Sequence, residues 1–179
     1  MRVIAGELGG RRLQTARGAA TRPTAGRVRE ALFSMLGELA PGTEVLDLFA
    51  GSGALGIEAL SRGAARATFV ERSPQALAAL RANVAALGLT GRARVLDKDA
   101  RAALRGAAKY DLVFLDPPYA MAAELAGVLS RELPAALRPG ARVVSESDRR
   151  APLELALPLV RERRYGDTMI RIHESSEEP

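Results

Sequence analysis

The sequence predicts an α/β fold with a mostly parallel sheet and helices on both faces. Three observations point there. From Thr43 onward, short apolar runs of strand length alternate with helical patterns. Pro41-Gly42, Gly88 and Pro139-Gly140 punctuate that alternation. Acidic residues recur at the ends of successive apolar runs, where open parallel sheets bind ligands. A chain of 179 residues suffices for one such domain with a full core.

The elements follow in order. Residues 2–5 and 11–15 read as a small hairpin around Gly9-Gly10. The stretch 16–23 is polar, rich in Gly, Ala and Arg, and reads as mobile when unbound. Thr24 can cap a helix in which Val28, Ala31, Leu32, Met35 and Leu36 recur at helical spacing. Residues 44–48 form a strand, then comes a Gly-rich turn and a helix over 54–62. A strand over 67–70 precedes Ser73-Pro74, an N-cap and first-turn pair for a helix carrying Leu77, Leu80, Val84 and Leu87. Residues 93–96 are a strand, 100–104 a short helix, and 110–115 a strand running directly into Pro117-Pro118. A helix over 122–136, a turn at Pro139-Gly140 and a strand over 142–145 come next. Residues 159–164 and 169–172 read as an antiparallel pair joined by Tyr165-Gly166-Asp167-Thr168. The sum is a seven-stranded sheet. Its organisation is a basic N-terminal hairpin and arm (1–23), one domain (24–174) and an acidic tail (175–179).

Composition excludes several chemistries. Cys is absent and His173 is the lone His, so thiolate nucleophiles, Ser-His-Asp triads and Cys- or His-built metal sites are ruled out. No metal is expected. Apolar runs are too short to span a bilayer and the N-terminus lacks a signal-peptide core, so no membrane is expected and a cytoplasmic location is. Residues 1–30 carry seven Arg against Glu7 and Glu30, which accounts for the whole formal charge of +5. A basic block of this kind attracts phosphate backbones, though a solvated charged segment is the plain alternative.

Gly51-Ser52-Gly53-Ala54-Leu55-Gly56 matches the glycine pattern of nucleotide-binding turns, and Glu71 ends the next strand, where an acid can contact ribose. Those features suit NAD and S-adenosylmethionine equally. Asp47 separates them. A carboxylate just before the Gly turn repels a pyrophosphate but favours the ammonium and sulfonium of S-adenosylmethionine. Asp99, after the third strand, can accept from an adenine amino group. Asp47 and Asp99 have a plainer reading as helix caps.

Asp116-Pro117-Pro118-Tyr119 reads as the reaction centre. Two prolines stiffen the backbone and remove two donors, leaving carbonyls available. Asp116 and the Pro117 carbonyl can accept from an exocyclic amine while Tyr119 stacks on the base. A Pro-rich turn with a packed Tyr is the alternative. In-line attack on a sulfonium methyl needs alignment rather than a His base.

Asp47-Leu48-Phe49-Ala50-Gly51-Ser52-Gly53 together with Asp116-Pro117-Pro118-Tyr119 resembles the class I amino-methyltransferases. Arg22-Pro23-Thr24, Arg27-Val28-Arg29-Glu30-Ala31-Leu32-Phe33, Arg2-Val3-Ile4-Ala5-Gly6, Gly10-Arg11-Arg12-Leu13 and Tyr165-Gly166-Asp167-Thr168 resemble the signatures of the RsmD family within that class. Ala25-Gly26 departs from the polar pair expected there, and no role is assigned to it. The resemblance covers nearly the whole chain. It implies a Rossmann-like class I methyltransferase fold and methylation of a guanine N2 amine in 16S ribosomal RNA, in an assembling or assembled small subunit. It also implies S-adenosylmethionine held by Asp47, Gly51, Gly53, Glu71 and Asp99, with Asp116, Pro117 and Tyr119 positioning the guanine. Arg22 and its basic neighbours Arg11, Arg12 and Arg27 would then meet RNA, and a monomer is expected. Competing readings are a DNA adenine-N6 methyltransferase of the same fold, a dehydrogenase, and a non-catalytic RNA-binding scaffold.

Overall fold

The computed structural model describes residues 1–15, 24–106, 108–118 and 122–176. The order is α1 (Thr24–Leu36), β1 (Glu44–Asp47), α2 (Ala54–Ser61), β2 (Arg66–Glu71), α3 (Pro74–Ala86), β3 (Ala93–Asp97), α4 (Ala100–Leu104), β4 (Tyr110–Leu115), α5 (Ala122–Ala136), β5 (Leu137–Asp148), β6 (Leu159–Tyr165) and β7 (Thr168–Glu174). One seven-stranded sheet runs β3-β2-β1-β4-β5-β7-β6. The pairings from β3 through β5 are parallel. β7 runs antiparallel to both neighbours, so the other six strands share one direction.

Central strands are apolar on both faces because helices cover both. Val45, Phe69, Leu112 and Phe114 pack with Val28, Leu32 and Phe33 of α1, Ile57 and Leu60 of α2, and Leu80 and Val84 of α3. The alternate residues Leu46, Val113 and Leu115 face the other way, against Leu104 of α4 and Leu125, Leu129 and Leu133 of α5. This period-2 division of each strand between two cores explains why the strands read as unbroken apolar runs. Neighbours of β1 on its two sides, β2 and β4, are reached by connections of opposite sense. The switch in strand order, where such sheets bind ligands, therefore lies between β1 and β4.

One expectation is corrected. Pro139-Gly140 does not separate α5 from a later strand. It lies inside β5, where Tyr110 pairs with Leu137 and Leu112 with Arg142, so extra residues bulge out between two registered pairs. A bulge accepts a residue that cannot donate to the ladder, and this is how Pro139 is tolerated within a strand. The N-terminal hairpin forms as expected: Arg2 and Arg12 face each other antiparallel around a turn over residues 5–10, and Val3 donates to the Arg11 carbonyl, Gly10 to the Val3 carbonyl and Leu13 to the Met1 carbonyl, each at 2.9 Å. Other backbone groups of the hairpin tie it to α2. Ile4 and Ala5 donate to the Glu58 carboxylate at 2.8 and 3.0 Å, and Leu8 donates to Ser61 Oγ at 3.0 Å. Val3 and Leu13 join the core on the α1–α3 side. The stretch 16–23, with Arg17 and Arg22, lies outside the described residues, as do Tyr119 and the last residues of the acidic tail, 177–179.

Candidate active site

The Gly-rich turn begins where β1 ends. Gly51 and Gly53 both take left-handed backbone, with φ of 55° and 85°, a conformation that costs glycine little. The three glycines differ in surroundings. A Cβ on Gly51 would meet nothing within 4 Å, whereas one on Gly53 would lie 2.5 Å from Leu80 Cδ1 and one on Gly56 2.3 Å from Phe69 Cε1. Gly51 therefore faces open space where a ligand can approach the backbone, and Gly53 and Gly56 let α2 sit close against β2 and α3.

Two carboxylates hold this turn. Glu71, at the end of β2, accepts from Gly51 N–H at 2.8 Å with one oxygen and from Arg72 and Ser73 N–H at 2.8 Å each with the other. Asp47 is 1% exposed, and its Oδ2 accepts from Gly56 N–H at 3.0 Å. The plainer reading of Asp47 is thus partly realised, since it satisfies an amide in the first turn of α2. Burial pushes its carboxyl up to about 7; the Gly56 hydrogen bond opposes that, and the nearby charges of Asp116 and Glu71 add to it. A buried acid raised in this way is a ready partner for a cation.

Asp99 is exposed and caps α4, accepting from Ala102 N–H at 2.9 Å. This realises the cap reading and fixes the carboxylate beside the carboxyl end of β3. Asp116 follows β4 directly and is exposed, Pro117 is buried and Pro118 exposed. Asp47 pairs in register with Phe114 across the strand switch, which brings the buried acid and the Asp116-Pro117 segment to adjacent strand ends. Beneath them the Phe33 ring of α1 lies 5.6 Å from the ring of Phe114, at 54°. The fold therefore gathers Asp47, Gly51, Gly53, Glu71, Asp116 and Pro117 at one end of the sheet.

The basic residues are dispersed. Arg27 is exposed on the first turn of α1. Arg11 donates to the Ala86 carbonyl at the end of α3, at 3.1 Å, while Glu7 pairs with Arg92, which precedes β3 at the amino end of the strands. The hairpin tip thus sits away from Asp116 and Pro117. Arg12 is exposed at the bridge with Arg2.

Sequence reasoning missed three residues. Glu58, fully buried, takes Arg62 at 2.8 Å and has Arg29 at 3.6 Å. Arg29, counted with the basic block, is buried and donates to the Arg2 carbonyl. A lone acid within the apolar helix ALGIEALS was the available signal for Glu58. Asn83 of α3 is the third. Its Oδ1 accepts from Gln14 N–H at 2.7 Å, and its Nδ2 donates to the Gln14 and Ser52 carbonyls at 3.0 and 2.9 Å. It ties the end of the N-terminal segment to the Gly-rich turn.

A six-plus-one sheet with a buried acid and glycine turn at one strand end, and Asp-Pro-Pro at its neighbour, defines a Rossmann-like methyltransferase. The chain belongs to the family described as Conserved hypothetical protein 95, whose model matches residues 1–174. YlbH of Bacillus subtilis (strain 168), provisionally named an rRNA methyltransferase, is 40% identical over 180 residues, covering 97% of this chain and 98% of its own. Ribosomal RNA small subunit methyltransferase D of Escherichia coli (strain K12) is 42% identical over 120 residues, covering 66% of this chain and 60% of its own. The solved structure of the Escherichia coli methyltransferase yhhF superimposes with a TM-score of 0.84 at 34% identity, covering 99% of both chains. The resemblance to the RsmD family is borne out.

Proposed function

We propose that the protein transfers a methyl group to the exocyclic N2 amine of a guanine in 16S ribosomal RNA. The observation that carries this reading is the pairing, across the strand switch, of Asp47 with the strand that delivers Asp116-Pro117. S-adenosylmethionine is the methyl donor, and when bound it supplies an electrophilic methyl on a sulfonium. The donor set fits it. Asp47 offers a buried carboxylate to its positive end, Gly51 offers open backbone, Glu71 suits ribose hydroxyls, and Asp99 lies where an adenine amino group can donate. A pyrophosphate in the same place would face Asp47 as a like charge, which disfavours a dinucleotide.

The chain's own part in the reaction is positioning. The guanine amino group donates its two N–H bonds to the Asp116 carboxylate and the Pro117 carbonyl, which directs the nitrogen lone pair towards the methyl carbon. Tyr119 stacks on the base, a role that rests on the sequence motif. Bound S-adenosylmethionine would supply the methyl group, and Asp116 or water would take the proton released by the amine. Alignment and fixed acceptors supply the rate, so no His is needed. A short basic arm with Arg22, next to Arg27 of α1, reads shape and phosphate rather than base sequence, which favours RNA held in an assembling or assembled small subunit. The working unit is a monomer with a basic arm (1–23), a catalytic domain (24–174) and an acidic tail (175–179).

The test is methyl transfer from labelled S-adenosylmethionine to under-methylated small-subunit particles, with naked ribosomal RNA and genomic DNA in parallel, followed by nucleoside analysis. Label in N2-methylguanosine, lost in Asp116→Ala, is expected. Label in N6-methyladenine would overturn the base assignment, and cofactor binding without transfer to any substrate would favour a non-catalytic scaffold.

A further inference from the structure

Edge strand β6 is unusual in this sheet, because its residues 159–164 are all exposed while those of its neighbour β7 alternate between buried and half-buried. Arg161 and Arg163 pair in register with Ile172 and Ile170, which belong to the core beneath α1. The two arginines therefore lie on the α1 side of the sheet. A groove of about 510 Å³ runs there, lined by Ser34, Met35, Val160, Arg161, Glu162 and Arg163. Arg161 Nη1 donates to the Met35 carbonyl at 2.8 Å, which holds its guanidinium across the groove.

The charge of this groove is one-sided. Among the described residues neither Arg161 nor Arg163 has a carboxylate partner. Glu162, its single acid, is engaged by Arg171 Nε at 2.6 Å. Along α1, Arg27 and Ser34 are seven residues apart and so share a face; both are exposed, with Glu30 the acid on that stripe. The helix leads at its other end into the basic stretch 16–23. In register, Tyr165 meets Thr168 and Asp148 also meets Thr168, while Leu115 meets Ser145. The end of β6 thus lies on the same rim as Asp116, three strand spacings or about 15 Å across the sheet.

We propose that the groove between α1 and β6 is an RNA contact surface, with Arg161 and Arg163 taking phosphates of the strand that leads away from the target base. This rests on the RNA reading given above and extends it to a surface opposite in sequence to the N-terminal arm. Guanidinium groups bind phosphate through paired donors, and each phosphate neutralised releases counterions. Arginines on an edge strand also discourage strand pairing between molecules, so the test must separate the two roles.

Binding of a 16S ribosomal RNA transcript is measured over a range of KCl concentrations, without turnover, for the wild type, Arg161→Gln/Arg163→Gln and Arg161→Lys/Arg163→Lys. The Gln pair is expected to weaken binding about tenfold or more at moderate salt and to flatten the log–log salt slope by about 1.5, or roughly 0.7–0.9 per lost phosphate. The Lys pair keeps both charges and is expected to keep most of the slope. An unchanged slope and affinity in the Gln pair, with melting temperature preserved, overturns the proposal. Self-association of the Gln pair with unchanged RNA affinity overturns it in favour of protection against strand pairing. Because binding is read apart from methyl transfer, failure of the groove is distinguishable from failure of the guanine assignment.

Discussion

The amide of Gly56 donates to the carboxylate of Asp47 at 3.0 Å, joining the first turn of α2 to the end of β1 inside the core. It stabilises the charge on an acid that burial and two neighbouring carboxylates oppose. Asp47 is therefore held in a place that costs stability and favours a cation.

That cost has a defined pH dependence. The Asp47 carboxyl titrates near 7 in the folded chain against an ordinary value of 3.8. Between those values the folded state binds more protons than the unfolded one, so this group's contribution to stability falls as pH rises from about 4 to 7. Asp47→Asn removes the penalty and keeps an acceptor for Gly56. At pH 8 the ligand-free variant is expected to be more stable than the wild type by on the order of 4 kcal/mol at most, with the difference vanishing towards pH 4. Urea unfolding at several pH values checks this, and a variant less stable at pH 8 would sink it.

Cofactor binding should also move a proton. A positive ligand beside Asp47 favours its ionised form, so binding at pH 6 releases close to one proton and binding at pH 8.5 releases almost none. Calorimetric titration with S-adenosylmethionine in buffers of different ionisation enthalpy measures the number directly. Asp47→Asn is expected to bind weakly and release none.

Glu58 anchors the N-terminal segment to α2 and faces the buried Arg29. Glu58→Ala leaves Arg29 without its carboxylate, and breaking a buried ion pair from one side costs about 3–5 kcal/mol. Denaturant melts read the loss. If the variant is destabilised by less than about 1 kcal/mol, the pair is not structural in the way its burial indicates.

Asn83→Leu keeps the branched side-chain skeleton but removes three hydrogen bonds between Gln14, Ser52 and α3. Loosening the Gly-rich turn is expected to raise the KM for S-adenosylmethionine about tenfold, the equivalent of one lost hydrogen bond, with a smaller effect on kcat. Steady-state kinetics at saturating RNA separates the two. A change confined to kcat would assign Asn83 a different role.

Much of the site was legible because its signals are local. Asp47, Gly51 and Gly53 fall within seven consecutive residues, and Asp116 abuts an apolar strand; no distant partner is needed to see that such residues sit at a strand end. Glu71 and Asp99 are equally local. The structure adds that Asp99 caps α4, which residue type alone allowed but did not choose. The bulge at Pro139-Gly140 escaped notice because it depends on pairing with β4, and a Pro-Gly pair by itself reads as a turn. Arg29 was read as part of a phosphate-seeking block because net charge does not reveal burial.

The alternation of strand and helix, the glycine turn and the acids at the ends of successive strands are written in short stretches of sequence. These follow from periodicity and backbone freedom over a few residues, and they need no long-range contact. Folding in three dimensions gives Glu58 its backbone donors 53 and 54 residues away and makes Asn83 the bridge from Gln14 to Ser52. It also decided that Arg161 and Arg163 would share a groove with α1. A polar side chain's role is fixed by which partners folding brings within about 3 Å of it, and that distance is set by how the helices pack on the sheet, not by neighbours in the chain.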